Sequence, residues 1–190
     1  METEYRFHRD EILQDPMVKV EMENNANLVG FCNLPEAVVR LDVDHERFRE
    51  TGYRIQYNIP HAAHDAVTEQ VQKWLEAGKI KQAPVKCPLN SSLTVAAKKN
   101  QYNEFVGWRV CLDTRPLNGC LLSTDKFQLP YIRDVLERFI GSKYFAEIDL
   151  LEAYLQFQLD EESQQYTAFT WNGEQYVFVG CSFGIDLLPS

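Results

Sequence analysis

Asp149 is the residue whose setting most directly suggests chemistry. It closes the short apolar run Tyr144-Phe-Ala-Glu-Ile-Asp149 and is followed at once by the helix-prone Leu-Leu-Glu-Ala-Tyr154. A carboxylate at the tip of a core-like strand is costly to desolvate. It calls for a cation, a hydrogen-bond network or a divalent metal as partner. Its plainer role is the N-cap of the segment behind it. Other candidates are weaker. His61 and His64 lie three apart and read as a solvated helix start rather than a metal pair. The 5 cysteines, odd in number and without a C-x-x-C pair, favour reduced thiols over a disulfide framework or a zinc site. Asn90-Ser-Ser92 fits a glycosylation sequon, which has no meaning without secretion.

Charge offers a second lead. A formal net charge of −9 argues against a simple basic nucleic-acid-binding domain. The balance reverses between Lys79 and Asn118, where Lys79, Lys81, Lys86, Lys98, Lys99, Arg109 and Arg115 face only Glu104 and Asp113. Such a stretch reads either as a polyanion-contacting surface or as solvated surface lysines. The 190 residues suffice for one domain with an extension. No apolar run reaches the roughly 18 residues of a membrane helix. The acidic opening Met1-Glu-Thr-Glu-Tyr5 is no signal peptide. The expectation is an intracellular chain, cytoplasmic or nuclear, with no membrane partner.

The elements that must position these residues are read from periodicity. Ala63, Val67, Val71, Trp74 and Leu75 recur at helical spacing after Pro60, with Gly78 placed to stop the helix. Leu93 to Ala97 and Val106 to Leu112 read as a hairpin turning at Asn100 to Asn103. Thr114 to Asp125 reads as an extended loop. Pro130 opens a helix carrying Ile132, Val135, Leu136 and Phe139, stopped by Gly141. Residues 143–149 are the strand that ends on Asp149, and Glu152 to Phe157 is a helix of one or two turns. Tyr166 to Trp171 and Glu174 to Val179 flank Asn172-Gly173, the strongest hairpin signal in the chain. Before Tyr53 the pattern is weak. Leu28 to Cys32 is a candidate strand, Pro35 to Arg40 a candidate helical turn, and residues 1–52 an N-terminal extension. Helices mixed with antiparallel hairpins point to an α+β fold.

Three segments taken together carry a resemblance. Trp108-Arg-Val-Cys-Leu-Asp-Thr-Arg-Pro-Leu-Asn118 resembles the W-R-x-x-x-D-x-R-x-L-N block of reverse transcriptases. Tyr144 to Tyr154 looks like the block in which such enzymes place their first catalytic aspartate. Thr167-Ala-Phe-Thr170, Tyr176-Val-Phe178 and Ser182-Phe-Gly184 resemble the T-A-F … Y-x-F … P-F-G run. One such motif alone would be weak, but several in family order over Tyr53 to Ser190 are specific. The chain is similar to the N-terminal fingers and partial palm of the RNA-directed DNA polymerases of gypsy-type LTR retrotransposons and retroviruses.

The resemblance implies a reverse-transcriptase-like fingers and palm over residues 53–190. It also implies nucleotidyl transfer in the parent enzyme, with deoxynucleoside triphosphates and an RNA/DNA primer–template as partners. That reaction is an in-line phosphoryl displacement between two Mg²⁺ ions about 4 Å apart, and hard cations take oxygen ligands. Asp149 would be catalytic as a metal ligand, with the backbone carbonyl of Leu150 adding an oxygen. Lys98 and Arg109 would contact the triphosphate. Tyr154 would stack under the sugar and exclude a 2′-hydroxyl, and Phe183 would lie near the incoming nucleotide. Arg115 would neutralise template phosphate. The plainer readings make Tyr154 a core aromatic and pair Arg109 with Asp113.

The sequence also departs from the family. The remaining metal-binding carboxylates sit in a Tyr-x-Asp-Asp hairpin beyond the P-F-G run, and no Asp-Asp pair occurs in these residues. One carboxylate cannot hold two Mg²⁺ ions. The expectation is therefore a fragment truncated before that hairpin, inactive in isolation, with a possible association with the missing polymerase half. Asp186 and Leu187 stand where a Thr-Asn-like pair is typical, Ala97 replaces a basic residue, and the hairpin tip Asn100 to Gly107 is longer than usual. The alternative is a non-catalytic retroelement remnant that binds nucleic acid or protein through its Lys79–Arg115 face.

Overall fold

Helix α3, His64–Glu76, forms where the apolar spacing predicts, burying Val67, Val71 and Trp74 along one face. Gly78 ends it in the left-handed region, at φ 65°. The Lys79 N–H donates to Trp74 O at 2.8 Å and the Gly78 N–H to Leu75 O at 3.0 Å, which is the Schellman arrangement. That stop turns the chain directly into strand β1, Ile80–Gln82.

The computed structural model describes residues 13–25, 30–32, 34–84, 87–122, 130–145, 150 and 152–187. They belong to two units, Met1–Gly30 and Phe31–Ser190. Among the described residues of the first unit is α1, Pro16–Asn25, at whose start the Asp15 carboxylate accepts from the Met17 N–H at 2.8 Å. In the second unit α2 is His45–Thr51, capped by the Asp44 carboxylate accepting from the Arg47 N–H at 3.1 Å. Strands β2, Leu93–Lys99, and β3, Phe105–Leu112, form one antiparallel hairpin. Strands β4, Phe169–Trp171, and β5, Glu174–Phe178, form the second, around Asn172 and Gly173, both at positive φ. β5 also pairs with β1, giving the order β1-β5-β4. The short helices are α4, Arg115–Asn118, α5, Ile132–Glu137, and α6, Glu161–Gln164. This is an α+β architecture. No described helix is long and apolar enough to cross a membrane, and all five cysteines are free thiols.

Two apolar clusters hold the second unit. In one, Val67, Val71 and Trp74 of α3 pack with Leu93, Val110 and Leu112 of the first hairpin and Ile80, Phe169 and Phe178 of the sheet. In the other, Leu41, Val43 and Phe48 pack with Leu117, Leu159, Val177 and Ile185. Leu41, Val43 and Phe48 come from the stretch read as weakly patterned. Before α2, residues 34–44 form an irregular strap, tied by Val39 N–H to Gln158 O at 2.8 Å and Asp44 N–H to Cys120 O at 2.8 Å, with Cys32 N–H donating to Gln156 O at 2.7 Å just ahead of it. Only isolated bridges, Val39 to Leu159 and Val43 to Leu121, mark it as strand-like, so no regular period appears in its sequence.

Several sequence expectations are corrected. The loop expected over Thr114 to Asp125 contains α4, whose first turn holds Pro116. Lys143 to Phe145 are irregular rather than a strand; the Tyr144 ring is exposed, and the Phe145 ring, partly exposed, meets Phe139 edge to face at 5.7 Å. The segment after Glu152 is a 3-10 turn, Ala153–Gln156, because Glu152 itself is left-handed at φ 46°. The sequon is a buried structural loop. Asn90 Nδ2 donates to Arg54 O at 2.7 Å, its Oδ1 accepts from Thr170 Oγ1 at 2.7 Å, and Ser92 Oγ accepts from the Tyr57 N–H at 2.7 Å. Asp149, Lys86 and Leu28 lie outside the described residues.

Gly180 is tightly packed: an added Cβ would lie 2.6 Å from Leu155 O and 3.1 Å from the Phe31 ring. Gly180→Ala is expected to lower the unfolding free energy by about 1–3 kcal/mol, read as a lower urea midpoint at unchanged slope. Gly119→Ala, whose Cβ would meet nothing closer than 3.5 Å, is the control expected to leave the midpoint in place.

Candidate functional site

The β2–β3 hairpin aims two cations the same way. Arg109 is paired with Ala96 and Lys98 with Gly107. Cross-strand partners share a face and alternate residues return to it, so Lys98 and Arg109 are diagonal neighbours on one face. Gly107, opposite Lys98, puts no side chain beside it. A register shift between Lys98 and Lys99 marks a bulge, a device that re-aims side chains near strand ends. The Cys111 thiol reports the same geometry. Its burial raises its pKa, and the positive charges of Arg109 and Lys98 pull it back down.

Two aromatic rings stand across from these cations. Tyr154 lies in the 3-10 turn and Phe183 after β5, and their rings meet edge to face with centroids 5.0 Å apart. Phe183 is held from the other side. Thr114 Oγ1 donates to Gly184 O at 2.7 Å and Asn118 Nδ2 to the same oxygen at 2.8 Å. Asn118 Nδ2 also reaches Asp186 Oδ1 at 2.9 Å, and the Asp186 N–H donates to Asn118 Oδ1 at 3.2 Å. Asp186, a departure from the family pattern, is thus built into the same clamp.

Lys98, Arg109, Tyr154 and Phe183 line one cavity of about 300 Å³. Its remaining wall comes from Gln70 and Trp74 of α3, Val110 to Leu112 of β3, Glu152, Leu155, Phe178 and Ser182. Two cations, two rings set edge to face and an apolar floor suit a flat organic group carrying anionic oxygens.

No protein-family model matches the chain. It is 35% identical over 159 residues to the retrovirus-related Pol polyprotein from transposon 412 of Drosophila melanogaster. It is 30% identical over 138 residues to the corresponding polyprotein from transposon 297 of the same fly. These matches take in 83% and 73% of the chain, which spans only 12% and 13% of the polyproteins. Among solved structures, a crystal structure of prototype foamy virus protease-reverse transcriptase superposes with a TM-score of 0.68 at 20% identity, covering 95% of this chain and 23% of that one. A foamy viral protease-reverse transcriptase in complex with dsDNA gives 0.57 at 22% identity, covering 83% and 28%. The chain is a reverse-transcriptase-like region of the retroelement kind.

Within this reverse-transcriptase-like region the remaining expected site residues are placed unevenly. Leu150 is exposed beside the undescribed Asp149. Among the described residues no three of His, Cys, Asp and Glu gather as a metal site. The Leu150 carbonyl and the Glu152 carboxylate do not by themselves make a Mg²⁺ site, which needs several oxygens in octahedral array. Arg115 donates from Nε to Asp113 Oδ1 at 2.7 Å and from Nη2 to Oδ2 at 2.8 Å, while the guanidinium itself stays exposed. The Arg115 N–H at 3.3 Å and Tyr57 OH at 3.0 Å add further donors to Asp113. The Asp113 carboxylate is therefore taken by Arg115 and Tyr57, not by Arg109. Lys79 is no surface cation. It is buried, its Nζ lies 4.2 Å from the centroid of the Phe31 ring, and burial lowers its pKa while Glu152 pulls the other way. Gln70, Trp74, Cys111 and Ser182 were not singled out from sequence for this site. Trp74 carries the helical apolar period of a core residue, which hides a second role.

The Arg115 hydrogen bonds, with those from Tyr57, hold the Asp113 carboxyl below its ordinary pKa against the opposing effect of burial. A depressed folded-state pKa gives stability that is present above the unfolded value and lost as pH falls through the folded one. Asp113→Asn is expected to be less stable than the native chain at neutral pH. In denaturant titrations the gap should close progressively below about pH 4.

Proposed function

We propose that the cavity is the incoming-nucleotide site of an RNA-directed DNA polymerase, to which this chain contributes the fingers and part of the palm. The observation that carries the reading is the convergence of Lys98, Arg109, Tyr154 and Phe183, from separate stretches of sequence, on one cavity. Lys98 and Arg109 would take the triphosphate, with Arg109 able to engage two oxygens at once. Tyr154 would lie under the sugar, where its ring leaves no room for a 2′-hydroxyl, and Phe183 would buttress it from its edge. Arg115, exposed beyond its pair with Asp113, would meet template phosphate. The foamy viral neighbour in complex with dsDNA supports a primer–template partner.

Asp149 and the Leu150 carbonyl would supply ligands to Mg²⁺, whose chemistry there would be to steady the oxygens of the reacting phosphate. The 190 residues contain no adjacent Asp pair. Polymerisation would then require carboxylates from outside this stretch, and the 190 residues alone would bind nucleotide without extending a primer.

Deoxynucleoside triphosphate binding, followed by fluorescence or calorimetry, tests the reading. Arg109→Ala should weaken it by roughly tenfold or more, the worth of a charge-assisted contact. Arg109→Lys should recover it only in part. Lys81→Ala, on the exposed side of β1, is the control expected to bind as the native chain does. Native-like binding by Arg109→Ala overturns the proposal.

A further inference from the structure

Lys79 is an unusual residue to find inside. It is 5% exposed, and lysine is seldom so deeply buried. The backbone fixes where it stands. Its N–H donates to Trp74 O at 2.8 Å, and its carbonyl accepts from the Val179 N–H at 2.8 Å and the Gly180 N–H at 3.2 Å. Its Nζ sits over the Phe31 ring, 4.2 Å from the centroid, a cation on a π face. An apolar side chain would fill this place without the cost of desolvating an ammonium. The charge therefore calls for a role beyond filling space.

What the pair touches supplies that role. The Phe31 ring packs on Gly180, where a Cβ would lie 3.1 Å from the ring and 2.6 Å from Leu155 O. Leu155 belongs to the 3-10 turn Ala153–Gln156, which carries Tyr154. Gly180 is thus a thin layer between Phe31 and that turn. At the last residue of the turn, Gln156 O accepts from the Cys32 N–H at 2.7 Å. The first is preceded by Glu152, left-handed at φ 46°, a conformation that a non-glycine residue holds only when its surroundings impose it. The Glu152 charge acts on the Lys79 ammonium, opposing the effect of burial. Both ends of the turn are therefore engaged by this cluster. Glu152, Tyr154 and Leu155 line the cavity, whereas Phe31, Cys32 and Lys79 do not.

We propose that Phe31 and Lys79 are positioning residues for Tyr154: the ring-on-ammonium pair fixes the 3-10 turn and thereby sets how strictly the cavity discriminates the sugar of a bound nucleotide. The inference rests on the nucleotide-site reading and assigns the sugar selectivity of that site to two residues outside it. A pair that served stability alone would change the unfolding midpoint and leave the cavity's preference in place.

The test measures dATP and ATP affinities of the full chain by calorimetry and reads their ratio, with urea midpoints in parallel. Phe31→Leu removes the π face and stays apolar. Lys79→Met removes the charge and keeps the stem. Each should lower the preference for dATP about fivefold or more, the scale on which a displaced positioning group acts. Phe31→Tyr and Lys79→Arg keep face and charge and should retain the native ratio. Val67→Ala, a cavity in the core at the start of α3, should lower the midpoint without moving the ratio. A native ratio in Phe31→Leu or Lys79→Met overturns the inference. So does a loss as large in Phe31→Tyr as in Phe31→Leu, or as large in Val67→Ala. If the ratio is native in Phe31→Leu and Lys79→Met but lost in Tyr154→Val, the positioning pair fails and the nucleotide reading stands. A native chain without preference for dATP, or a native ratio in Tyr154→Val, overturns both.

Discussion

Two like charges, Lys98 and Arg109, can be aimed at one point only if the hairpin carrying them is clamped, because a two-stranded hairpin is marginal on its own. The clamp is at its root. Leu93, Val110 and Leu112 are buried against α3, fixing the face each strand presents. Gln56 acts as a surrogate neighbour to β2. Its Oε1 accepts from the Leu93 N–H at 2.9 Å and its Nε2 donates to Leu93 O at 2.9 Å. The Asp113 N–H closes the far corner on Ser92 O at 2.8 Å. With register pinned there, the positions of Lys98 and Arg109 follow from alternation alone.

The same corner carries the opposite wall of the cavity. Asp113 is buried, held by Tyr57 and Arg115, and passes the chain into α4. Thr114 and Asn118 then reach across to Gly184 and fix the segment that presents Phe183 to Tyr154. A single run, Trp108 to Asn118, thus carries Arg109 at one side of the cavity and braces the rings at the other. That gives a physical reason for Arg, Asp, Arg, Leu and Asn at those spacings, independent of any family pattern.

Sequence reading worked where the signal is local. The Asn172-Gly173 turn demands positive φ, and Val67, Val71 and Trp74 define one face of a helix, so those elements were legible. The four cavity residues were legible only through the order of motifs, since no spacing brings Lys98 near Phe183. What stayed hidden depends on contacts distant in sequence. The strap over residues 34–44 has no period because it pairs through isolated bridges. Lys79 is buried by Phe31, far upstream of it, which no local pattern signals. The choice of Arg115 over Arg109 as partner of Asp113 turns on α4, which a loop reading does not contain.

The central claim is that four residues form one nucleotide-binding cavity. Its most direct test is photo-cross-linking of the chain with a photoactivatable deoxynucleoside triphosphate, followed by peptide mapping. The account predicts adducts on the peptides carrying Arg109, Tyr154 and Phe183, all suppressed by excess unmodified deoxynucleoside triphosphate. Adducts confined to other peptides, or adducts that excess nucleotide does not suppress, would contradict it.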